Sequence, residues 1–182
     1  MGISKVKAVF LDRDGVINHT IVRKGKPYPP KDLSEFKFLP NVIEGITLLK
    51  NRGFLTIIVT NQPDVGRGTI TKENVELIHA KIKQSLLIDE IRVCYDDGEK
   101  VNSEFRKPNP GMIFASAKEN NIDLTKSFMV GDRWKDIEAG KRAGLKTFFV
   151  DYGYREVLLN KPDYQVASLL EAVRLICSFN IH

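Results

Sequence analysis

Only two cysteines and three histidines occur among the 182 residues, and that scarcity removes several classes at once. Cys94 and Cys177 have no partner at the spacing of a metal site, so neither a disulfide framework nor a zinc module is indicated and two core thiols are expected. No stretch approaches the ~18 apolar residues of a membrane span. The segment Met1-Gly2-Ile3-Ser4-Lys5 leads toward a strand rather than a signal-type apolar run, and Val6 stands where a myristoylation signal needs Ser or Thr. A cytoplasmic protein without membrane contact is expected. No internal repeat is present, and nowhere do aromatic and basic residues interleave as a groove for nucleic-acid strands requires. Apart from Arg23-Lys24-Gly25-Lys26 the basic residues are scattered. The net charge of +5 therefore favours anionic ligands in general, with no nucleic-acid partner indicated.

What the chain does have is enough apolar content, 42% beside 28% charged, for one domain over residues 1–182 with a sizeable core. Ala8 to Leu11 is short, apolar and partly β-branched, like a buried parallel strand, and it stops at Asp12-Arg13-Asp14-Gly15. Side chains two apart on an extended chain point the same way, so Asp12 and Asp14 share one cleft, where their repulsion calls for a metal cation or a shared proton. Gly15 permits the sharp turn beyond them. An Asp-x-Asp-Gly is also an ordinary solvated turn. A calcium loop needs an oxygen ligand, Gly and Glu at its fifth, sixth and twelfth positions; here those are Val16, Ile17 and Arg23. Phosphoryl transfer is the chemistry the pair suggests.

Residues 18 to 40 carry Gly25, Pro27, Pro29 and Pro30 and read as a long loop or flap beside the site. Asn41 is placed to cap a helix with Val42, Ile43, Ile46, Leu48 and Leu49 at helical spacing, closed by Gly53. Phe54 to Val59 makes a second strand, ending in Thr60-Asn61-Gln62, and Pro63 to Gly68 is rich in loop formers. Thr71 caps the next helix, whose apolar face is Val75, Ile78, Ile82 and Leu86. A third strand spans Ile88 to Tyr95, and Asp96 to Glu104 is loop. Pro110 opens a helix from about Met112 to Asn120. Phe128 to Val130 is a strand that ends in Gly131-Asp132 and leads into a helix containing Trp134 and Ile137. Thr147 to Val150 is a fifth strand, and Val166 to Ile176 a last helix. The alternation predicts an α/β fold with a doubly wound parallel sheet.

Taken singly, Lys107 reads as a solvated lysine, Thr60 and Asp132 as helix or turn caps. Together, at successive strand ends, Asp-x-Asp-Gly, Thr-Asn, Lys-Pro and Gly-Asp-x-x-x-Asp resemble the haloacid dehalogenase (HAD) superfamily of phosphohydrolases, over residues 6 to about 151. Within it, Phe-Leu-Asp-Arg-Asp-Gly-Val-Ile-Asn, Thr-Asn-Gln, Gly-Arg-Gly, Arg-Lys-Pro-Asn-Pro-Gly-Met and Val-Gly-Asp-Arg-Trp-Lys-Asp-Ile-Glu-Ala-Gly look similar to the D-glycero-D-manno-heptose 1,7-bisphosphate 7-phosphatases, and histidinol-phosphate phosphatases share much of this pattern. The resemblance implies a Rossmann-like fold and a Mg²⁺ held by Asp12, the backbone carbonyl of Asp14 and Asp132. It makes Asp12 the nucleophile and Asp14 the general acid and base. Thr60 would donate to the phosphoryl oxygens, Lys107 would offset charge, and Asp136 would reach the metal waters or orient Lys107. Asn61, Gln62, Arg106 and Arg133 fall where this subfamily grips its substrate, with Arg133 in place of a lysine, and Arg67 assists. Neither gap, 15 to 59 or 61 to 106, has length for a cap domain, so a capless fold, monomeric rather than oligomeric, is expected.

The chain departs from that pattern in three places. His19-Thr20-Ile21-Val22-Arg23 and a longer loop replace an Asp-His-Gly-Tyr-like segment, and Pro63-Asp64 replaces small residues. The Cys and His zinc loop is missing, so no structural zinc is expected. Asp96, Asp97, Glu99 and Glu104 then read as a solvated face, with the loop either held by a turn at Asp97-Gly98 and by Phe105 packing inward or else mobile. The enzyme suggested is a Mg²⁺-dependent phosphatase of a small phosphorylated sugar, with histidinol phosphate, another small phosphomonoester and, more distantly, a polynucleotide 3′-phosphate as alternative substrates. A catalytically idle binding module on the same fold is the reading from another class. A mere binder has no need of both Asp12 and Asp14.

Overall fold

Ala8–Leu11 forms β1, whose residues are buried on both faces as a central strand requires. Val9 and Leu11 pack into one core cluster and Ala8 and Phe10 into another, which makes β1 the wall between two hydrophobic layers. The computed structural model describes residues 4–23, 26–98, 103–154 and 156–179; Lys24 and Gly25 of the basic stretch and Glu99 of the acidic loop lie outside them. After β1 come the hairpin β2 (Ile21–Arg23) and β3 (Lys26–Tyr28), then α1 (Val42–Asn51), β4 (Leu55–Asn61), α2 (Pro63–Gly66), α3 (Lys72–Ser85) and β5 (Glu90–Cys94). The chain continues through α4 (Gly111–Glu119), a 3-10 turn at Leu124–Lys126, β6 (Phe128–Gly131), α5 (Trp134–Arg142), β7 (Lys146–Val150), β8 (Tyr164–Val166) and α6 (Leu169–Ser178).

Six strands form one parallel sheet in the order β5-β4-β1-β6-β7-β8, with Phe10 opposite Ile57 on one side and Met129 on the other. Helices α1, α3 and α6 supply Ile46, Leu49, Ile78, Ile82, Val173 and Ile176 to one layer, while α4 and α5 supply Met112, Ile113 and Ala139 to the other. The chain moves outward from β1 to β4 and β5, then returns to β6 on the opposite side. The carboxyl ends of β1, β4 and β6 therefore converge at the crevice where such sheets bind ligands. Among the described residues no cap domain interrupts the fold: the two insertions amount to a hairpin and a one-turn helix with its loop.

Several boundaries differ from the sequence expectation. The flap contains the antiparallel pair β2–β3, with Val22 opposite Pro27. Proline excludes a central strand but not a two-stranded ribbon, where few donors are needed. Pro63 starts a helical turn at its first position, where its missing N–H costs nothing. Asn41 sits before α1 at φ 61° and its side chain makes no cap bond; asparagine is used here for its tolerance of left-handed backbone. Thr71 does cap α3, accepting from Asn74 N at 3.2 Å. A sixth strand, β8, was not expected, and Val166 belongs to it rather than to the last helix, which Ser168 caps instead. Three residues are too short for a periodicity, so only pairing with β7 defines β8. Phe105 is 41% exposed rather than inward. The loop is held from inside by Arg106, whose Nη1 donates to Asp96 O and whose Nε would lie 2.6 Å from any Cβ at Gly98.

Candidate active site

Asp12 stands one residue beyond β1 and its N–H still donates to Val130 O at 2.9 Å, so the ladder with β6 fixes its backbone. Its Oδ1 accepts from Lys107 Nζ at 2.8 Å. The same ammonium donates to Val59 O at 2.7 Å and to Asp136 Oδ1 at 2.6 Å. An ammonium has three donors, and here all are engaged. Burial alone would lower the Lys107 pKa, but Asp12 and Asp136 outweigh it and hold the group above its ordinary value. Lys107 thus acts as a charged strut between β1, β4 and α5. Asn61 anchors it: its Nδ2 donates to Lys107 O at 2.9 Å and its Oδ1 accepts from Lys107 N at 3.1 Å.

Asp132, at the end of β6, is 1% exposed and neither of its carboxylate oxygens has a hydrogen-bond partner among the described residues. Gly15, at φ +89°, makes room for it, since a Cβ there would lie 2.1 Å from Asp132 Oδ2. One ligand atom from each of Asp12, Asp132 and Asp136 falls within 4.8 Å of the others. Burial, followed by the Asp136 charge, pushes Asp12 up to about 7. Burial, then Asp12 and Asp136, raises Asp132 well above the usual carboxylate range. Three carboxylates facing one ammonium, with two orphaned oxygens, fit a hard divalent cation. Asp136 is tied up differently: besides Lys107 it accepts from Arg133 N through Oδ2 at 3.0 Å. Gly131 allows that approach, because a Cβ there would lie 2.1 Å from Asp136 Cβ.

Asp14 also lines the cleft but belongs to another network. It accepts from Gln62 Nε2 at 2.7 Å, Asn18 Nδ2 at 2.9 Å and the Arg13 guanidinium, whose Nη2 lies 2.9 Å away. Gln62 also donates to Thr60 Oγ1 at 2.9 Å. Thr60 therefore accepts from the protein and keeps its hydroxyl proton free to donate. Asn61 and Gln62, which the resemblance puts against substrate, both have their amides engaged within the protein, and Gln62 is 1% exposed.

The open cleft above has a volume of about 290 Å³. Its carboxylate floor is Asp12, Asp14 and Asp132; its rim carries Arg67, Arg106, Arg133 and Lys135, and Thr20, Tyr28 and Pro29 of the flap line it too. Arg67 pairs with Asp64 at 3.2 Å, and Arg133 with Glu156 at 2.8 Å. Burial, then Arg106 and Arg133, lowers the Lys135 pKa. Arg13, His79, Lys135 and Glu156 were not picked out from sequence. For Arg13 a signal existed, since strand alternation turns it away from the side shared by Asp12 and Asp14; Glu156 is 23 residues from its partner and had none.

Residues 104–172 match the family model described as HAD-hydrolase-like. The chain is 38% identical to the D-glycero-alpha-D-manno-heptose-1,7-bisphosphate 7-phosphatase of Burkholderia mallei, over 79% of this chain and 78% of that one. It is 36% identical to the corresponding beta enzyme of Pasteurella multocida, over 93% and 96%. The solved D,D-heptose 1,7-bisphosphate phosphatase of B. bronchiseptica, crystallised with magnesium and phosphate, superposes with a TM-score of 0.81 at 26% identity, covering 93% of this chain and 97% of that one. No described helix is long and apolar enough to cross a membrane.

Proposed function

The chain belongs to the HAD-like hydrolase family that includes the heptose-1,7-bisphosphate 7-phosphatases and is a phosphatase; from that premise we propose that it removes the 7-phosphate of D-glycero-D-manno-heptose 1,7-bisphosphate through an aspartyl-phosphate intermediate. The observation that carries the substrate is the separation of charge in the cleft. One phosphoryl group belongs at the floor beside Asp12, and the cationic rim of Arg67, Arg106, Arg133 and Lys135 suits a second phosphate on the same molecule. The same rim disfavours histidinol phosphate, whose ammonium group it would repel.

Asp12, Asp132 and the backbone carbonyl of Asp14 are the groups that would hold Mg²⁺. The cation supplies positive charge that favours ionised carboxylates and neutralises phosphoryl oxygens. Ionised Asp12 attacks phosphorus; the bond to the sugar oxygen breaks and Asp14 gives that oxygen a proton. Water then attacks the aspartyl phosphate, Asp14 takes its proton, and phosphate leaves with Asp12 restored. Thr60 donates to the phosphoryl group, and Lys107 holds Asp12 in place while balancing its charge.

Phosphate release from heptose 1,7-bisphosphate, histidinol phosphate and a 3′-phosphorylated oligonucleotide tests the reading. The bisphosphate should have the highest kcat/KM, and Arg106→Ala should raise its KM more than that of a heptose monophosphate. Preference for either of the other two substrates would refute the assignment.

A further inference from the structure

Arg13 separates two site aspartates and yet is completely buried. A buried guanidinium is costly unless its donors are satisfied. Nε and Nη2 both reach the Asp14 carboxylate, at 3.2 and 2.9 Å to Oδ2, and Nη1 meets His79 Nε2 at 3.2 Å. A guanidinium only donates, so Nε2 must accept and the neutral imidazole carries its proton on Nδ1. That nitrogen faces Glu76 Oε2 at 3.7 Å. Protonation would set two donors against each other, and burial, followed by the Arg13 charge, pushes His79 down to about 4. His79 therefore stays an acceptor at neutral pH. Neither residue lines the active cleft.

An apolar side chain would fill the space between β1 and α3 without a buried charge. What arginine adds is a planar fork that fixes both the position and the plane of a carboxylate. Gln62 and Asn18 complete that cradle from other directions. We propose that Arg13 and His79 are a positioning pair, His79 orienting the guanidinium and the guanidinium holding the Asp14 carboxylate where it exchanges a proton with the leaving sugar oxygen. The inference rests on the reading of Asp14 as the proton-transfer group.

The two are separable by leaving-group chemistry. kcat/KM covers the steps up to departure of the leaving group, so it registers proton delivery for an alkyl phosphate and hardly at all for p-nitrophenyl phosphate, whose phenolate leaves unaided. Asp14→Asn should lower the alkyl value by roughly 10²- to 10⁴-fold and the aryl value far less. His79→Leu removes the acceptor behind the site; it should cost about tenfold on the alkyl phosphate and less than about twofold on the aryl one. His79→Gln, whose amide oxygen accepts from Nη1, should recover the alkyl value to within about threefold of the native enzyme. Arg13→Lys keeps the charge without the fork and should show the same selective loss. With thermal melts confirming that each variant is folded at the assay temperature, equal losses on both substrates, or no loss, in His79→Leu and Arg13→Lys would overturn the pair while Asp14 stood. If Asp14→Asn itself failed to discriminate, the reading of Asp14 would fall and the pair with it.

Discussion

At the floor of the cleft Lys107 directs its three donors to Asp12, Asp136 and Val59 with a side chain 4% exposed, whereas at the rim Arg67 and Arg133 pair with one carboxylate each and are 44% and 40% exposed. The floor is dry, overdetermined and short of positive charge; the rim is partly solvated and rich in it, although Glu156 holds Arg133 and Asp96 O holds Arg106. Electrostatic interactions are strong and little screened in the first setting, weak and salt-sensitive in the second. The floor should therefore govern the chemical step and the rim the encounter with substrate.

The largest expected effect lies at the floor. Asp12→Asn replaces the proposed nucleophile with an amide and should lower turnover by more than about 10³-fold in a phosphate-release assay; near-native activity would remove Asp12 from the scheme. Lys107→Ala leaves buried carboxylates without their countercharge. Besides a fall in kcat, it should destabilise the protein by about 3–5 kcal/mol, read by denaturant unfolding; unchanged stability would show that Lys107 is no strut.

Asp132→Asn separates function from stability. The Mg²⁺-dependent activity proposed above should be lost, yet the metal-free protein should melt about 2–4 °C higher at pH 8, because one of three crowded carboxylates is gone. A lower melting temperature would mean that the crowding costs little. The pH dependence follows from Asp12 and Asp132, whose pKa values are raised in the folded protein. A carboxyl that binds its proton more tightly when folded contributes stability that is complete below its unfolded value near 4 and is lost as pH rises through its folded value, about 7 for Asp12. The metal-free protein should weaken across that window. Added Mg²⁺ competes with the proton, so it should raise Tm more at pH 8 than at pH 5; an equal increment would place the cation elsewhere.

The smallest effect belongs to the rim. Arg106→Ala should raise KM about tenfold with kcat changed less than about twofold, and the difference from native enzyme should shrink in high salt. A fall in kcat of the floor's size would dissolve the distinction between the two regions.

Legibility in the sequence divides along a related line. β1, its carboxylates, Thr60 and Asp132 are readable because strand ends and turn chemistry are local, and Gly15 marks its own turn. Lys107 is readable as a motif, but its role depends on Val59 and Asp136, which only the tertiary fold delivers. Arg13 is easily overlooked despite its place in the strand alternation: between two aspartates it looks like surface charge, and its partner His79 lies 66 residues away on a helix whose pattern marks only Val75, Ile78, Ile82 and Leu86 as inward. β8 escapes because three residues carry no periodicity. The inward packing expected of Phe105 fails for a similar reason. An aromatic in a loop suggests an anchor, but the long guanidinium of Arg106 occupies the space under Asp96 and Gly98.

The central place of β1 bears on the order in which this enzyme comes into being. Of the described elements β1 is synthesised before all the others, yet its second sheet neighbour, β6, emerges only after α4. Until then Asp12, the proposed nucleophile, stands on a strand with one open edge, without Asp132 and without the carboxylate that shares Lys107. A nascent chain therefore holds the proposed nucleophile long before the rest of the site forms, and leaves one edge of a central strand unpaired meanwhile. Regain of phosphatase activity on refolding should accordingly trail the formation of β1–β4 structure and mark the docking of the carboxy-terminal half.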